Sequence, residues 1–338
     1  MPSLKTRKIG SDDVTAIGYG AMGIAAYYGT VQPDEVRLQV RFLDDLYARG
    51  CTFWDSSDIY ADSEVLLGKW FKKTGKRSDI FLATKFAITG NAQRPINGDP
   101  EYVKLAAEKS LGRLGVDQID LYYMHRPDPT VPIEKTVGAM AELVKAGKVR
   151  YLGLSECTAA TIRRAHAVHP IAAVQVEYSL FTLDIESAAT DVLRTARELG
   201  IAVVAYSPLG RGLLTGQYKS LDDFEAGDFR RSVPMYSNEN FPRILQLVEA
   251  VRAIGARYKA TAGQVALAWL LAQGEDIIPI PGTRQVKYLE ENLGALDLEL
   301  AAEDVAEIRR LSEGISGTLG NRYDAVRMQL ILQDTPPL

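Results

Sequence analysis

The chain has 338 residues, of which 46% are hydrophobic and 24% charged, so it can bury a sizeable core. A net charge of -4 gives no general basic surface for nucleic acid or anionic lipid. No apolar stretch approaches the roughly 20 residues that span a bilayer, and the first residues lack the apolar core of a signal peptide. Two cysteines, Cys51 and Cys157, favour a reducing compartment. We therefore expect a cytoplasmic protein that binds neither nucleic acid nor membrane.

Short apolar runs alternate with amphipathic stretches along the chain. The runs predict strands near residues 15–21, 52–55, 80–86, 119–125, 149–155, 172–178, 201–206 and 276–281. Helical patterns cover residues 34–49, 100–114, 132–146, 158–168, 187–199 and 286–296. The polar strand ends recur at roughly the 30-residue length of one βα unit. The sequence therefore predicts an α/β fold, a (β/α)₈ TIM barrel formed by residues 1–338 as a single domain.

Three segments lie outside the eight-fold repeat. Residues 5–9 and 13–16 flank a polar turn and predict an N-terminal β-hairpin that plugs the bottom of the barrel. Residues 208–240 predict a long loop after the seventh strand, and loops of that length are usually functional. The tail from residue 314 to 338 has weak periodicity, so it either lies across the open face or is disordered.

Four polar residues stand at or just past the ends of predicted strands: Asp55, Tyr60, Lys85 and His125. The carboxyl ends of barrel strands form the reactive face of this fold, so these side chains should converge. A hydride that reaches a carbonyl carbon leaves charge on the oxygen, and an acid must neutralise it. Tyr60 is the candidate acid, Lys85 the ammonium that favours its phenolate, and Asp55 the partner that keeps Lys85 charged. His125 would orient the carbonyl.

Other patterns favour ordinary structural interpretations. Gly18–Gly23 matches the G-x-G-x-x-G dinucleotide fingerprint, but glycine and proline interrupt the helix that should follow it. Gly153–Cys157 resembles a nucleophile elbow but lacks its final glycine. His166 and His169 are more consistent with a solvated helix end than with a metal site, and we expect no metal. The four strand-end residues also have a structural alternative, as a buried ion pair beside an unrelated tyrosine.

Several longer motifs carry a family resemblance: Phe53–Tyr60 (FWDSSDIY), Ala83–Lys85 (ATK), Asp120–Pro127 (DLYYMHRP), Lys148–Ser155 (KVRYLGLS), Val174–Tyr178 (VQVEY), Ala205–Gly210 (AYSPLG) and Pro281–Asn292 (PGTRQVKYLEEN). From Ile17 to Leu293 the sequence resembles an aldo-keto reductase. The family's catalytic tetrad falls on the four strand-end residues, and none is substituted. Within the family, the sequence is most similar to the pyridoxal-reductase-like and auxin-induced-reductase-like branch.

The resemblance implies an NADPH/NADP+ cofactor extended across the barrel mouth. The nicotinamide would stack on Tyr206, with its carboxamide held by Ser155 and Gln175. The pyrophosphate would lie against residues 207–212, and the 2′-phosphate would meet Arg284. The full set of implied cofactor residues is Met22, Gly23, Asp55, Ser155, Gln175, Tyr206, Ser207, Pro208, Leu209, Gly210, Arg211, Gly282, Thr283, Arg284, Tyr288, Glu291 and Asn292.

One residue departs from the family pattern. Glu156 stands where the family often has an asparagine that contacts the carboxamide. An ionised carboxylate accepts hydrogen bonds but cannot donate one, so this third contact is in doubt. The residues expected to form the substrate pocket are Tyr28, Trp54, Tyr60, Ile88, His125 and Arg126.

Two functional hypotheses follow from the resemblance. The first is an NADPH-dependent oxidoreductase that reduces an aldehyde or ketone, with pyridoxal or an aromatic aldehyde as a candidate substrate and Tyr60 as general acid. The second is a non-catalytic, cofactor-binding regulatory subunit similar to the β-subunits of potassium channels. The intact tetrad favours the enzyme. A monomer and a weak homo-oligomer are both compatible with the sequence.

Overall fold

The structure, a computed structural model, describes residues 3–25 and 35–338. Its strands are β1 (Thr6–Ile9), β2 (Asp12–Thr15), β3 (Tyr19–Gly20), β4 (Phe53–Asp55), β5 (Phe81–Phe86), β6 (Ile119–Met124), β7 (Val149–Ser155), β8 (Ile171–Glu177), β9 (Ala202–Tyr206) and β10 (Ile277–Pro279). Strands β3 to β10 form one sheet in which each strand pairs in parallel with its neighbour in sequence. Backbone N–H groups of Gly18 and Gly20 donate to the carbonyls of Pro279 and Pro281, at 3.0 and 3.3 Å. These bonds join the first and last strands, and the predicted (β/α)₈ barrel is confirmed.

Helices connect the strands around the outside of the barrel. They are α1 (Met22–Ala25), α2 (Glu35–Ala48), α3 (Ser63–Thr74), α4 (Pro100–Leu114), α5 (Ile133–Lys145), α6 (Ala159–Val168), α7 (Val192–Glu198), α8 (Phe241–Arg257), α9 (Ala262–Leu271), α10 (Val286–Gly294), α11 (Ala302–Glu313) and α12 (Ala325–Met328). The helix predicted over residues 187–199 is wrong at its start, since α7 begins five residues later. Asp191 has a left-handed backbone with φ of 55°, and a regular helix cannot run through that conformation. No helix in the two described ranges is both long and apolar enough to cross a bilayer.

Both faces of the barrel strands are buried. In β6, Leu121 and Tyr123 point into the barrel interior, whereas Tyr122 and Met124 pack in the layer between strands and helices. This alternation is the two-residue period of a strand. Because helices cover the outer face, apolar residues predominate along each strand, as expected of a parallel sheet. The strands were therefore predictable as continuous apolar runs.

The N-terminal hairpin closes one end of the barrel. Strands β1 and β2 pair antiparallel, and their side chains Ile9 and Val14 belong to the apolar cluster of the barrel interior. At the turn, the Ser11 and Tyr151 hydroxyls lie 2.6 Å apart. Gly10 adopts φ of 58° against the Tyr151 ring, where an added Cβ would approach to 2.4 Å. The predicted hairpin is confirmed, and only glycine fits its turn without displacing Tyr151.

The segment 208–240 is more ordered than the predicted loop. It contains short 3₁₀ helices at Gly210–Thr215, Leu221–Asp223, Phe229–Ser232 and Pro234–Tyr236. The Arg230 guanidinium supports the segment from within. It donates to Asp228 at 2.7 Å and stacks on the rings of Tyr218 and Phe224. Short 3₁₀ turns and polar contacts therefore order residues 208–240, whose sequence lacks the periodic apolar pattern of a long helix.

The tail lies across the carboxyl ends of the strands. The Gln333 backbone exchanges hydrogen bonds with the backbones of Glu156 and Thr158, both at 3.1 Å. Arg164 of α6 donates to the Thr335 carbonyl at 2.9 Å. Of the two outcomes considered for this segment, the structure therefore shows the one in which it covers part of the open face.

Candidate active site

The four strand-end residues come together at the carboxyl end of the barrel. Lys85 Nζ donates to Asp55 Oδ1 and, at 2.6 Å, to the Ser56 carbonyl. The same ammonium lies 4.9 Å from the centre of the Tyr60 ring. The Tyr60 ring in turn meets His125 edge-on, with ring centres 5.8 Å apart. Adjacent pairing of β4, β5 and β6 is what brings these side chains together.

Burial governs the charges of the Asp55–Lys85 pair. Both side chains are almost fully buried. Burial raises the pKa of Asp55 and lowers the pKa of Lys85, while their mutual ion pair opposes both shifts. Gln175 Nε2 also donates to Asp55 Oδ2 at 2.8 Å. Lys85 consequently releases its proton more readily than an exposed lysine would, which suits proton exchange with a neighbouring phenol.

His125 is neutral in this environment. Burial, reinforced by Arg126 and Lys85, holds the pKa of His125 well below its usual value. Its Nδ1 lies 3.1 Å from the buried Ser57 hydroxyl. Ser57 Oγ also lies 3.3 Å from Asp58 Oδ1. When the hydroxyl donates to Nδ1 rather than to Asp58, the ring proton resides on Nε2, which can then donate to a carbonyl oxygen. Sequence reasoning missed Ser57, although it lies inside the Phe53–Tyr60 motif.

The residues predicted for the nicotinamide lie on consecutive strand ends. Ser155 ends β7 and is in register with Gln175 of β8, and Tyr206 ends β9. Ser155 Oγ accepts a hydrogen bond from Arg126 at 3.3 Å. The Tyr206 ring is half-buried, and its hydroxyl donates to Glu156 at 2.8 Å. The Tyr206 ring and the side chains of Ser155 and Gln175 therefore lie together at one edge of the barrel mouth.

Both carboxylate oxygens of Glu156 accept hydrogen bonds from other groups of the protein. Its Oε1 accepts from the Glu177 N–H at 3.0 Å, and its two oxygens accept from the two terminal nitrogens of Arg322 at 3.2 and 3.3 Å. Burial would raise the pKa of Glu156, but Arg322 and Arg126 hold it below its usual value. Glu156 is therefore an anion that anchors the tail, which gives a structural reason for an acid in this position.

The segment predicted for the pyrophosphate has an unusual backbone. Ser207, Gly210, Arg211 and Gly212 all have positive φ angles, between 49° and 95°. Successive left-handed turns point backbone N–H groups to one side and form concavities that bind anions. Pro208 and Leu209 lie between them.

The Arg211 side chain turns away from this backbone. Its guanidinium donates to Glu177 at 3.2 Å and to the Arg322 carbonyl at 3.0 Å, in a nearly fully buried position. It also lies 4.5 Å from the Tyr323 ring centre. Arg211 therefore supports the tail, and the N–H groups of Gly210 and Gly212 donate within the segment, to the carbonyls of Ser207 and Leu209 at 2.9 and 3.0 Å.

The predicted adenosine end surrounds the start of α10. Arg284 is exposed two residues before this helix begins, where the helix dipole favours an anion. The Thr283 carbonyl accepts from the Tyr19 hydroxyl at 3.0 Å, and Glu291 accepts from Thr261 at 2.7 Å. The remaining predicted residues here lie on the same loop and helix: Gly282, Tyr288 and the buried Asn292.

Glycines let the two ends of the cofactor region approach each other. An added Cβ on Gly282 would lie 2.8 Å from the Gly20 carbonyl oxygen, so the loop after β10 packs against the backbone of β3 without a side chain between them. Met22 and Gly23 follow directly, in α1. Ala21 lies between Gly20 and Met22, and its N–H donates to the Asp55 carbonyl at 2.8 Å, which places this segment beside the tetrad.

One predicted pocket residue is wrong. Trp54 points away from the mouth, into the layer between barrel and helices, where it is fully buried against Trp70 and Phe71. Its Nε1 donates to the Cys51 carbonyl at 2.8 Å. Strand alternation is the reason, because Asp55 faces the active-site side and its neighbour must face outward.

The other pocket residues are placed as follows. Ile88 lies just past β5, partly buried, where it bridges to Ile96. Tyr60, His125 and Arg126 lie at the mouth. Tyr28 falls outside the described residues. The tail adds Tyr323, whose hydroxyl lies 3.4 Å from that of Tyr206 and which sequence reasoning did not single out.

Structural roles account for the other motifs. His166 Nδ1 accepts from the Ile171 N–H at 3.2 Å. Gly153 lies in β7 against Tyr123, where an added Cβ would approach the ring to 2.4 Å. Within residues 3–25 and 35–338, no group of three His, Cys, Asp or Glu side chains is arranged to hold a metal ion.

Comparisons with known proteins agree with this geometry. The sequence profile of the aldo/keto reductase family matches residues 16–313. Aldo-keto reductase str7 of Strobilurus tenacellus is 59% identical, and aldo-keto reductase yakc [NADP(+)] of Schizosaccharomyces pombe is 51% identical, each over 99% of both chains. Glycerol dehydrogenase AKR11B4 from Gluconobacter oxydans superposes with a TM-score of 0.81 at 25% identity, covering 90% of this chain and 94% of its own. The thermostable aldo-keto reductase Tm1743, solved with the inhibitor epalrestat, gives 0.72 at 27% identity, covering 91% and 100%. The chain belongs to the aldo/keto reductase family.

Proposed function

We propose that the protein is an NADPH-dependent carbonyl reductase in which Tyr60 is the general acid. The observation that carries this proposal is the position of Lys85, which contacts Asp55 and lies under the Tyr60 ring, next to a neutral His125. NADPH, when bound, supplies the hydride. Side chains of the protein orient the substrate and transfer the proton.

His125 orients the substrate. As a neutral imidazole with its proton on Nε2, it donates a hydrogen bond to the carbonyl oxygen without competing as a cationic acid. Tyr60 then gives its hydroxyl proton to that oxygen while the carbonyl carbon receives the hydride, and the product is an alcohol. Lys85 stabilises the phenolate that remains, and Asp55 keeps the lysine in place.

The donor groups of the mouth fit the cofactor. Ser155 and Gln175 offer hydrogen bonds to a carboxamide, the left-handed backbone of residues 207–212 offers amides to a pyrophosphate, and Arg284 stands at a helix start. Met22, Gly23, Gly282, Thr283, Tyr288, Glu291 and Asn292 complete the proposed contacts. The NADP(+) in the name of the Schizosaccharomyces pombe relative supports the choice of phosphate-bearing cofactor.

The mouth supports an aromatic substrate. Tyr60 and Tyr323 supply rings at the mouth, beside the Tyr206 ring proposed for the nicotinamide, so a planar aldehyde, with pyridoxal as one candidate, would pack against them. The regulatory alternative is less favoured, because all four tetrad side chains are in place and the two relatives above are named as reductases.

A paired measurement tests the proposal. NADPH binding is followed by its fluorescence, and turnover by loss of NADPH absorbance with pyridoxal and benzaldehyde. We expect binding and reduction of at least one aldehyde. Binding without turnover of any aldehyde in a wider panel would instead support the regulatory subunit, and absence of NADPH binding would contradict both functions.

A further inference from the structure

Arg126 follows His125 directly and lies at the mouth of the barrel, partly buried. One terminal nitrogen, Nη1, makes both of its hydrogen bonds, to the His125 carbonyl at 2.7 Å and to Ser155 Oγ at 3.3 Å. Both acceptors are neutral. Within the part of the chain that the structure describes, Nε and Nη2 bond to no protein acceptor, and no carboxylate lies within ion-pair distance of the guanidinium.

Other arginines near this face are neutralised by protein carboxylates. Arg322 pairs with Glu156, Arg211 with Glu177 and Arg230 with Asp228. A guanidinium removed from water without a counter-charge is costly, so an unpaired one at a binding face calls for an anion from elsewhere. Arg126 differs from the three paired arginines in this respect.

The surroundings of Arg126 show where that anion would lie. The groups that act on it electrostatically are Tyr206, Glu156, Tyr323 and Tyr60. Glu156 is already engaged by Arg322 through both of its oxygens. The other three are aromatic side chains of the proposed substrate site. Glu156 therefore acts on Arg126 only from beyond direct ion-pair distance, and the other groups around the guanidinium are aromatic side chains, including Tyr60 next to His125.

We infer that Arg126 binds a carboxylate of the substrate, so that the preferred substrates are aldehydes or ketones with a carboxylate on an aromatic or similarly flat spacer. This inference rests on the proposed function of the site. The planar fork of an arginine matches the two oxygens of a carboxylate. With the carboxylate on Arg126, the carbonyl group remains available to His125 and Tyr60.

Matched substrates test the charge alone. The three formylbenzoate isomers are compared with their methyl esters, in wild type and in Arg126→Met, Arg126→Lys and Arg194→Met. Arg194 is an exposed arginine of α7 that pairs with Asp191, and its substitution controls for loss of one positive charge. We expect wild type to prefer at least one acid over its ester. Loss of a charge-assisted hydrogen bond should lower kcat/KM for that acid by about 10- to 100-fold in Arg126→Met, mainly through KM.

The esters and the control variants show whether a loss of rate is specific to the carboxylate. Arg126→Met should lower kcat/KM for the acid more than for the ester, because any effect that acts through His125 or Ser155 changes both substrates alike. Arg126→Lys should recover part of the preference for the acid, and Arg194→Met should keep all of it. Equal losses for acid and ester would overturn the inference and assign Arg126 to holding His125 or Ser155. A wild type that reduces esters as well as acids would also overturn it, while leaving the proposed function intact.

Binding gives a readout that does not depend on turnover. The dissociation constant of 4-(hydroxymethyl)benzoate, a product analogue, is measured by calorimetry on the NADP+-saturated protein. Arg126→Met should weaken it by about 10-fold or more, and should weaken the corresponding methyl ester by a smaller factor. Equal affinity of the acid for both proteins would overturn the inference. If neither acid nor ester is reduced, the proposed function fails separately from this result.

Discussion

Arg322 joins the C-terminal tail to the active-site face through Glu156, with two hydrogen bonds of 3.2 and 3.3 Å between guanidinium and carboxylate. The two residues are 166 positions apart in sequence. Glu156 follows the last residue of β7, and Arg322 precedes Tyr323, whose hydroxyl lies near that of Tyr206. The pair therefore sets the position of a ring that borders the proposed nicotinamide and substrate sites.

Arg322→Met should detach the tail. Removing one partner of a buried ion pair leaves an uncompensated carboxylate and costs about 3–5 kcal/mol. We expect this loss in urea unfolding, with faster proteolysis beyond residue 314 in the native protein. Arg327→Met is the matched control, because Arg327 is exposed and pairs only at the surface with Asp324. Unchanged stability and unchanged protease resistance in Arg322→Met would show that the tail is held by other contacts.

Ser57→Ala should slow reduction by about 2- to 10-fold without weakening NADPH binding. The hydroxyl is the partner of His125 Nδ1, and a net hydrogen bond is worth about 0.5–1.5 kcal/mol. The measurement is kcat with a neutral aldehyde, alongside the NADPH dissociation constant. Ser78→Ala, at an exposed position in the segment before β5, should leave both unchanged. A fall in NADPH affinity with no change in kcat would place Ser57 outside the orientation of His125.

Asp58→Asn should stabilise the protein above neutral pH. Burial, with Glu64 nearby, raises the pKa of Asp58 to about 7 from an ordinary value of 3.8. Between these values the folded protein keeps a proton that the unfolded chain has released, so this group lowers the free energy of unfolding as pH rises from about 4 to 7. The variant should match wild type near pH 4 and exceed it near pH 8 in urea unfolding.

The pH dependence of that difference is the informative quantity. Asp62→Asn, a substitution at an exposed position of the same loop, should not show it. A stability difference for Asp58→Asn that is constant from pH 4 to pH 8 would mean that packing, rather than ionisation, distinguishes the two proteins.

Arg284→Ala should weaken NADPH and spare NADH. A charge-assisted hydrogen bond of about 1.5–3 kcal/mol corresponds to roughly 10- to 100-fold in affinity, and NADH lacks the 2′-phosphate. Both dissociation constants are measured by fluorescence titration, with Lys287→Ala for comparison, since Lys287 is an exposed cation in the first turn of α10, just after Arg284. Equal weakening of both cofactors would assign Arg284 to the adenine pocket or the fold. Loss of NADPH affinity in Lys287→Ala alone would move the phosphate contact to that residue.

The strands could be predicted from the sequence because an apolar run depends only on neighbouring residues. The apolar run at residues 80–86 became β5, Phe81–Phe86, and the helical pattern at residues 100–114 became α4 with the same bounds. Strand ends then located the four candidate catalytic residues, since a parallel barrel places all such ends on one face. Trp54 could also have been placed correctly, because alternation around Asp55 requires it to point outward.

Contacts between distant segments were not predictable in this way. Nothing in the periodicity around Arg322 indicates that it reaches Glu156, and an acid after Ser155 was recognised only as a departure from the family. The left-handed Asp191 that shortens α7 likewise depends on its tertiary surroundings. Neutralisation of Arg211 by Glu177, in contrast to Arg126, emerges only when the charges are placed in space.

The most direct test of the central claim is the rate of Tyr60→Phe. The substitution removes one hydroxyl and keeps the ring that faces His125 and Lys85. If Tyr60 is the general acid, single-turnover reduction of an aldehyde with bound NADPH should fall by about 10²- to 10⁴-fold, while the NADPH dissociation constant stays within about twofold of wild type. A variant that retains more than about half of the wild-type rate would contradict the account, because another group would then have to supply the proton.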